Sequence, residues 1–146
     1  MTDGGTGRAE LERWVVDFTE AFNREDLDEV MSYFADGAIY DEFDGKRSVG
    51  KAAIREAFIP QFEGKFGRMR FHTEDMFLDA ASGKALIRWL CTLEEPGRQG
   101  AYRGLDILHF EGGRLVAKHT YAKTRLPAIR KKHDMQTDET WPDMEG

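Results

Sequence analysis

The chain has 146 residues and a formal net charge of −6, with 40% apolar and 33% charged residues. That size suits one domain with one core, and ten Phe, four Tyr and three Trp exclude a disordered chain. The acidic balance leaves no basic field to hold nucleic acid by counterion release, and apolar runs as short as Ala85-Leu86-Ile87 cannot span a bilayer. One cysteine, Cys91, excludes an internal disulfide and fits a reducing compartment, so a cytoplasmic location is expected.

Residues 1–8 read as a flexible leader without the apolar stretch of a signal peptide. Leu11, Trp14, Val15, Phe18 and Phe22 then recur at three- and four-residue steps and predict an amphipathic helix with an aromatic face. Asn23-Arg24-Glu25 breaks it. Asp26, with Glu29 three positions on, opens a second helix carrying Leu27, Val30, Met31 and Phe34 inward, and Asp36-Gly37 is expected to stop it. Ala38–Phe43 reads as a strand running into the Asp44-Gly45 turn. A third helix follows Gly50, with Ile54, Ala57, Phe58 and Phe62 inward and Pro60 ending its regular part.

Beyond residue 67 the period changes. Arg68–Leu78, Lys84–Leu93, Ala101–Phe110 and Arg114–Lys123 are predicted strands, separated by glycine-containing turns. Helices first and a meander afterwards give an α+β fold. Residues 9–126 form the domain, and 127–146 read as a polar, charged tail in which Trp141 leaves a docking role open.

Strand parity points to a pocket. In Ala101–Phe110, one face holds Tyr102, Gly104, Asp106, Leu108 and Phe110, and the other holds Arg103, Leu105, Ile107 and His109. Apolar residues on both faces imply cover on both sides. Asp106 stands out, because a carboxylate between Leu105 and Ile107 loses solvation and can become a proton shuttle. Pairing with Arg103, Lys118 or a Tyr hydroxyl as plain core polarity is the alternative. Trp89 shares a face with Ile87 and Cys91, as a wall for a ring-shaped ligand or as core filling. In the last strand, parity leaves two faces open, one with Val116, Lys118, Thr120 and Ala122, the other with Leu115, Ala117, His119 and Tyr121. Asp41 and Glu42 fall on opposite faces of the first strand, and one of them, with Tyr40, is expected at the same cavity. Histidines 72, 109, 119 and 133 make no ligand pair, no glycine-rich phosphate loop is present, and no serine sits in a nucleophile elbow. No metal and no cofactor are expected, leaving acid/base chemistry or binding alone.

The phrases Phe22-Asn23-Arg24-Glu25-Asp26-Leu27-Asp28-Glu29-Val30 and Tyr33-Phe34-Ala35-Asp36-Gly37-Ala38, the helix start Gly50-Lys51-Ala52-Ala53-Ile54-Arg55, and the stretch Arg103–Val116 around Gly112-Gly113 resemble the nuclear-transport-factor-2-like superfamily. Within it the chain looks most like the SnoaL-like polyketide-cyclase and ketosteroid-isomerase branch, over roughly residues 10–125. The resemblance implies a cone, with a curved mixed sheet wrapped over three helices around an apolar cavity (the cystatin-like α+β barrel). It also implies a homodimer through the outer sheet face.

Its carry-over to a site is partial. Asp106 falls where ketosteroid isomerases keep an oxyanion-holding acid, and Glu42 best matches their general base. Phe18 stands where they need a tyrosine. The catalytic set of limonene epoxide hydrolases falls on Ile87, Trp89 and Thr120 and is absent, but that alignment turns Trp89, Lys118 and Thr120 inward and His119 outward. The expected catalytic residues are Asp106, Glu42 and Lys118. The expected lining is Trp14, Phe18, Tyr33, Tyr40, Phe58, Trp89, Tyr102 and Thr120. Two functions stand side by side: a cofactor-independent isomerase, cyclase or dehydratase acting on a small apolar molecule, and a non-catalytic ligand-binding or dimerisation module.

Overall fold

The structure is a computed structural model that describes residues 7–123. In chain order it contains α1 (Arg8–Asn23), α2 (Leu27–Ser32), β1 (Phe34–Asp41), β2 (Arg47–Val49), α3 (Lys51–Phe62), β3 (Arg68–Asp79), β4 (Lys84–Glu95), β5 (Arg98–Glu111) and β6 (Arg114–Lys123). The expected leader lies mostly, and the expected tail wholly, outside the described residues.

Six strands form one curved, open sheet in the order β2-β1-β6-β5-β4-β3. The pairs are antiparallel except β1 with β6, which run parallel and make the sheet mixed. Two-residue turns set the register of two of the three long hairpins. Glu95 pairs with Arg98 across Pro96-Gly97, and Glu111 pairs with Arg114 across Gly112-Gly113. Both glycines of the latter have positive φ, 57° and 81°, which that tight hairpin requires. Register shifts at Phe34/Ile39, Thr73/Asp75 and His109/Phe110 mark irregularities of the kind that bend strands.

The three helices cover the concave face. Leu11, Val15, Phe18 and Phe22 of α1 and Ile54 and Phe58 of α3 are buried against Ala85, Ile87, Trp89, Cys91, Leu108, Phe110 and Leu115 from the sheet. Aromatic rings carry much of the contact, chiefly edge-on, as in Phe18–Phe22 at 5.2 Å and Phe22–Phe58 at 5.3 Å. Asn23 fastens the end of α1 to β3, an edge strand. Its side chain donates to the Phe71 carbonyl (2.9 Å) and accepts from the Phe71 amide (2.7 Å), replacing a missing strand neighbour.

Several sequence expectations need correction. α2 ends at Ser32, and Asp36-Gly37 lies inside β1 instead of stopping the helix. Phe34 continues the helical spacing but is buried as a strand residue. Asp26 does cap α2, accepting from the Glu29 amide at 3.0 Å. β1 ends at Asp41, so Glu42 lies just beyond the strand, and the three-residue β2 was not anticipated. α3 continues two residues past Pro60. In β6, Leu115 is buried where simple alternation placed Val116, because the shift near His109 resets the parity before Lys118.

Candidate functional site

Asp106 lies on the concave face of β5, opposite Thr120 of β6 and Ile87 of β4. Alternation aims it inward with Gly104 and Leu108, and it is 8% exposed. Three donors meet its carboxylate. Trp89 Nε1 donates to Oδ2 (3.1 Å), Lys118 Nζ to Oδ1 (3.1 Å) and Thr120 Oγ1 to Oδ1 (2.6 Å). Lys118 Nζ also donates to Thr120 Oγ1 at 2.6 Å, closing a three-member ring of side chains. The Lys118 side chain is 6% exposed. Burying two charges this way is tolerable only because every polar atom has a partner. Among the described residues no buried side-chain nitrogen or oxygen is left without a hydrogen bond.

Aromatic rings close over the pair. Lys118 Nζ sits 4.6 Å from the Tyr40 ring centre and 5.8 Å from those of Phe22 and Phe58. Tyr40 stacks on Phe58 at 4.7 Å. Burial, with the negative charges of Asp106 and Glu42, pushes the Tyr40 hydroxyl well above the usual phenol range. Trp89 packs edge-on against Phe71 (5.1 Å) and Tyr102 (5.8 Å). Burial also raises the Tyr102 hydroxyl, and it pushes the neighbouring Cys91 thiol up to about 11.

Glu42 is half-buried, two residues on from Tyr40. Its backbone N–H donates to the Lys46 carbonyl at 2.8 Å and its carbonyl accepts from the Gly45 amide at 3.0 Å. Desolvation and the Asp44 charge raise its carboxyl above the ordinary glutamate value, while Lys46 and Lys118 pull it down less strongly. Asp41 points the other way. It takes a two-pronged ion pair from Arg47 (2.6 and 2.9 Å) and a 2.6 Å contact from His119 Nδ1, on the convex side of the sheet. The Arg47 hydrogen bond, and His119 after it, hold the Asp41 carboxyl below its usual range. Of the two alternatives left open for β6, Lys118 and Thr120 face inward, and His119 and Tyr121 face outward.

The expected residues thus divide into two groups. Tyr40, Phe58, Trp89, Tyr102, Asp106, Lys118 and Thr120 come together, with Glu42 at their edge. Trp14, Phe18 and Tyr33 do not join them. Trp14 packs on Phe110 at the opposite end of the helix layer, and Phe18 and Tyr33 pack on each other. A surface cleft of about 550 Å³ lies where the C-terminal ends of α1 and α3 meet the start of β3 and the end of β4, lined by Phe22, Gln61, Phe62, Met69, Pro96 and the residues around them. None of the expected site residues lines it. Phe22 belongs to both places, and its position at the C-terminal end of the α1 aromatic stripe was the available signal. Among the described residues no group of three or more His, Cys, Asp or Glu could hold a metal, and no helix is long and apolar enough to cross a membrane.

The sequence model of the SnoaL-like domain matches residues 15–118. The chain belongs to the SnoaL-like family. This SnoaL-like chain is also similar in fold to several solved structures. A proposed polyketide cyclase from Xanthomonas campestris pv. campestris is 18% identical, with a TM-score of 0.69 over 80% of this chain and 92% of that one. An NTF2-like protein of unknown function from Mesorhizobium loti is 20% identical, with a TM-score of 0.66 over 80% and 93%. AclR from Streptomyces galilaeus, a proposed hydroxylase, is 15% identical, with a TM-score of 0.69 over 82% and 92%. At these identities the likeness is one of fold. No protein of curated function matches the sequence.

Proposed function

We propose that this SnoaL-like protein binds a small, mostly apolar carbonyl compound above Lys118 and carries out acid/base conversion on it. The supporting observation is the donor arrangement at Lys118. Two of its directions are fixed by Asp106 and Thr120, and the next faces the Tyr40 ring instead of an oxygen. A carbonyl oxygen entering there would accept a charge-assisted hydrogen bond from an ammonium already held in place. Asp106, with three donors on it, is a positioning residue for Lys118 in this reading, and proton transfer falls to Glu42, whose carboxyl desolvation raises above the ordinary glutamate value. Enolisation, aldol cyclisation and dehydration all need this pairing of a base with a stabilised oxyanion.

A second reading, a non-catalytic binding or dimerisation module, is favoured by one observation: Tyr40, Phe58, Phe22 and Trp89 themselves fill the space over the pair. In either reading a second copy covers the convex face. There Phe77 and Tyr121 are 63% and 57% exposed beside half-buried Leu86, Leu105 and Ile107. Tyr121→Asp should then convert a dimer to a monomer in light scattering.

The deciding experiment is native mass spectrometry of the purified protein, then NMR titration with uncharged cyclic enones and aryl ketones. Perturbation of the Trp89 indole N–H that is lost in Lys118→Met supports the reading. Turnover of a bound ketone selects the enzyme over the carrier. Absence of any perturbation across the panel leaves the module as the better description.

A further inference from the structure

The inner face of the sheet can be followed from the open end inward as a series of rungs. Met69 and Leu93 form the outermost, Phe71, Cys91 and Tyr102 the next, then Trp89 and Gly104, then Ile87, Asp106 and Thr120. The cleft of about 550 Å³ ends at the first rung, against Phe62, Met69 and Phe22. Phe22 is 7% exposed, borders the cleft, packs on Phe71 of the second rung at 5.7 Å and on Phe62 at 5.9 Å, and lies 5.8 Å from Lys118 Nζ. The Phe22 ring therefore reaches from the open cleft to the surroundings of the buried ion pair.

We propose that the cleft is the entrance to the Asp106–Lys118 site, that the Phe22 ring is its inner door, and that it admits uncharged apolar ring compounds. Of the three rings around Lys118 Nζ, Phe22 is the one that also borders open volume, so its displacement would join the filled interior to the cleft. The floor of the cleft selects apolar bodies through Phe22, Phe62, Met69 and Pro96. Its rim selects charge. Of its four glutamates, Glu25 pairs with Arg68 and Glu95 with Arg98, and Glu63 and Glu94 supply the negative charge that repels an entering anion. The entrance extends the proposed function by naming what reaches the site, but it does not depend on Asp106 or Lys118 for its test.

Cys91, the only cysteine, sits one rung behind the entrance with no exposed surface and reports on passage. The test is alkylation of the full chain at one pH by two maleimides of matched chemistry, uncharged N-ethylmaleimide and anionic 3-maleimidopropionate, with rates normalised to the unfolded protein. Phe22→Leu should raise N-ethylmaleimide labelling about tenfold, whereas Phe18→Leu, equally buried but away from the cleft, should raise it about twofold at most. Phe62→Leu replaces Phe22→Leu if that variant does not fold. The uncharged reagent should outpace the anionic one by about three- to tenfold, and Glu63→Gln with Glu94→Gln should narrow that gap. Equal acceleration by Phe18→Leu, or none by Phe22→Leu and Phe62→Leu, overturns the door. Equal rates for the two reagents overturn the selection by charge.

Discussion

The Trp89 indole lies directly over Gly104, its partner across β4 and β5. A Cβ at position 104 would overlap the six-membered edge of that indole and come within 2.5 Å of the Tyr121 carbonyl oxygen. The missing side chain is what lets Trp89 lie flat and bring Nε1 to Asp106 Oδ2. Gly104→Ala should cost about 1–3 kcal/mol in chemical denaturation, as overpacking does. It should also shift the Trp89 indole N–H resonance. A stable variant with an unmoved resonance would mean that Gly104 does not set the indole.

The Asp106–Lys118 pair should behave as a buried ion pair. Asp106→Leu or Lys118→Met alone strands its partner charge and should destabilise by about 3–5 kcal/mol. The double variant Asp106→Leu with Lys118→Met should cost less than the sum of the two. A double-mutant cycle in urea reads the coupling, and strict additivity would refute it.

Glu42 provides a signed pH dependence. Its folded-state carboxyl is raised above the ordinary value of 4.5, so the native state binds its proton more tightly than the unfolded state. Stability from this group is therefore present at low pH and is lost as pH rises from about that value through the raised folded value. Glu42→Gln should be more stable than the parent at pH 7, with the difference vanishing in acid. Equal unfolding midpoints at both pH values would contradict the burial of Glu42. Asp41 acts in the opposite sense: its depressed carboxyl supports the fold above its ordinary value of 3.8, and that support is lost as pH falls through the lower folded value.

Asn23 should be sensitive to size and chemistry alike. Asn23→Ala leaves the Phe71 amide and carbonyl without the partners that now meet them at 2.7 and 2.9 Å. A loss of about 2–3 kcal/mol is expected. Amide exchange at Phe71 should accelerate beyond the global change, and unaltered exchange there would show that the edge is protected by something else.

Much of the fold and part of the site were legible in the sequence. The long strands show through alternation, but with apolar residues on both faces of β5, parity alone does not say which face is inner, and the resemblance turns Trp89 inward. Choosing between Lys118 and His119 needed the resemblance, because a single register shift near His109 inverts parity along β6. The end of α2 is not legible from spacing, because Phe34 sits four residues after Val30 and is buried in either conformation. β2 carries only Arg47, Ser48 and Val49, too few for any period to show. Trp14, Phe18 and Tyr33, expected in the lining, pack apart from the Asp106–Lys118 cluster, since an apolar stripe on a helix carries no information about depth. α1 has 16 residues and is about 24 Å long, so its two ends serve different parts of the core. Phe22 shares their pattern, yet its ring lies 5.8 Å from Lys118 Nζ, beside those of Tyr40 and Phe58.

The parallel pairing of β1 with β6 also sets an order of assembly. β3, β4 and β5 are neighbours in the chain as well as in the sheet, and they can zip together as hairpins from their own turns. β1 and β2 pair with each other but have no local partner in the rest of the sheet. They are made early, yet the strand that joins them to the rest is β6, whose contact with β1 spans the 78 residues from Asp41 to His119. Closing so long a loop is the slow kind of step in folding. A chain emerging from the ribosome therefore carries a detached β1–β2 hairpin until nearly the whole domain is out. Lys118 arrives on that same final strand, so the ion pair and the sheet are completed in one event.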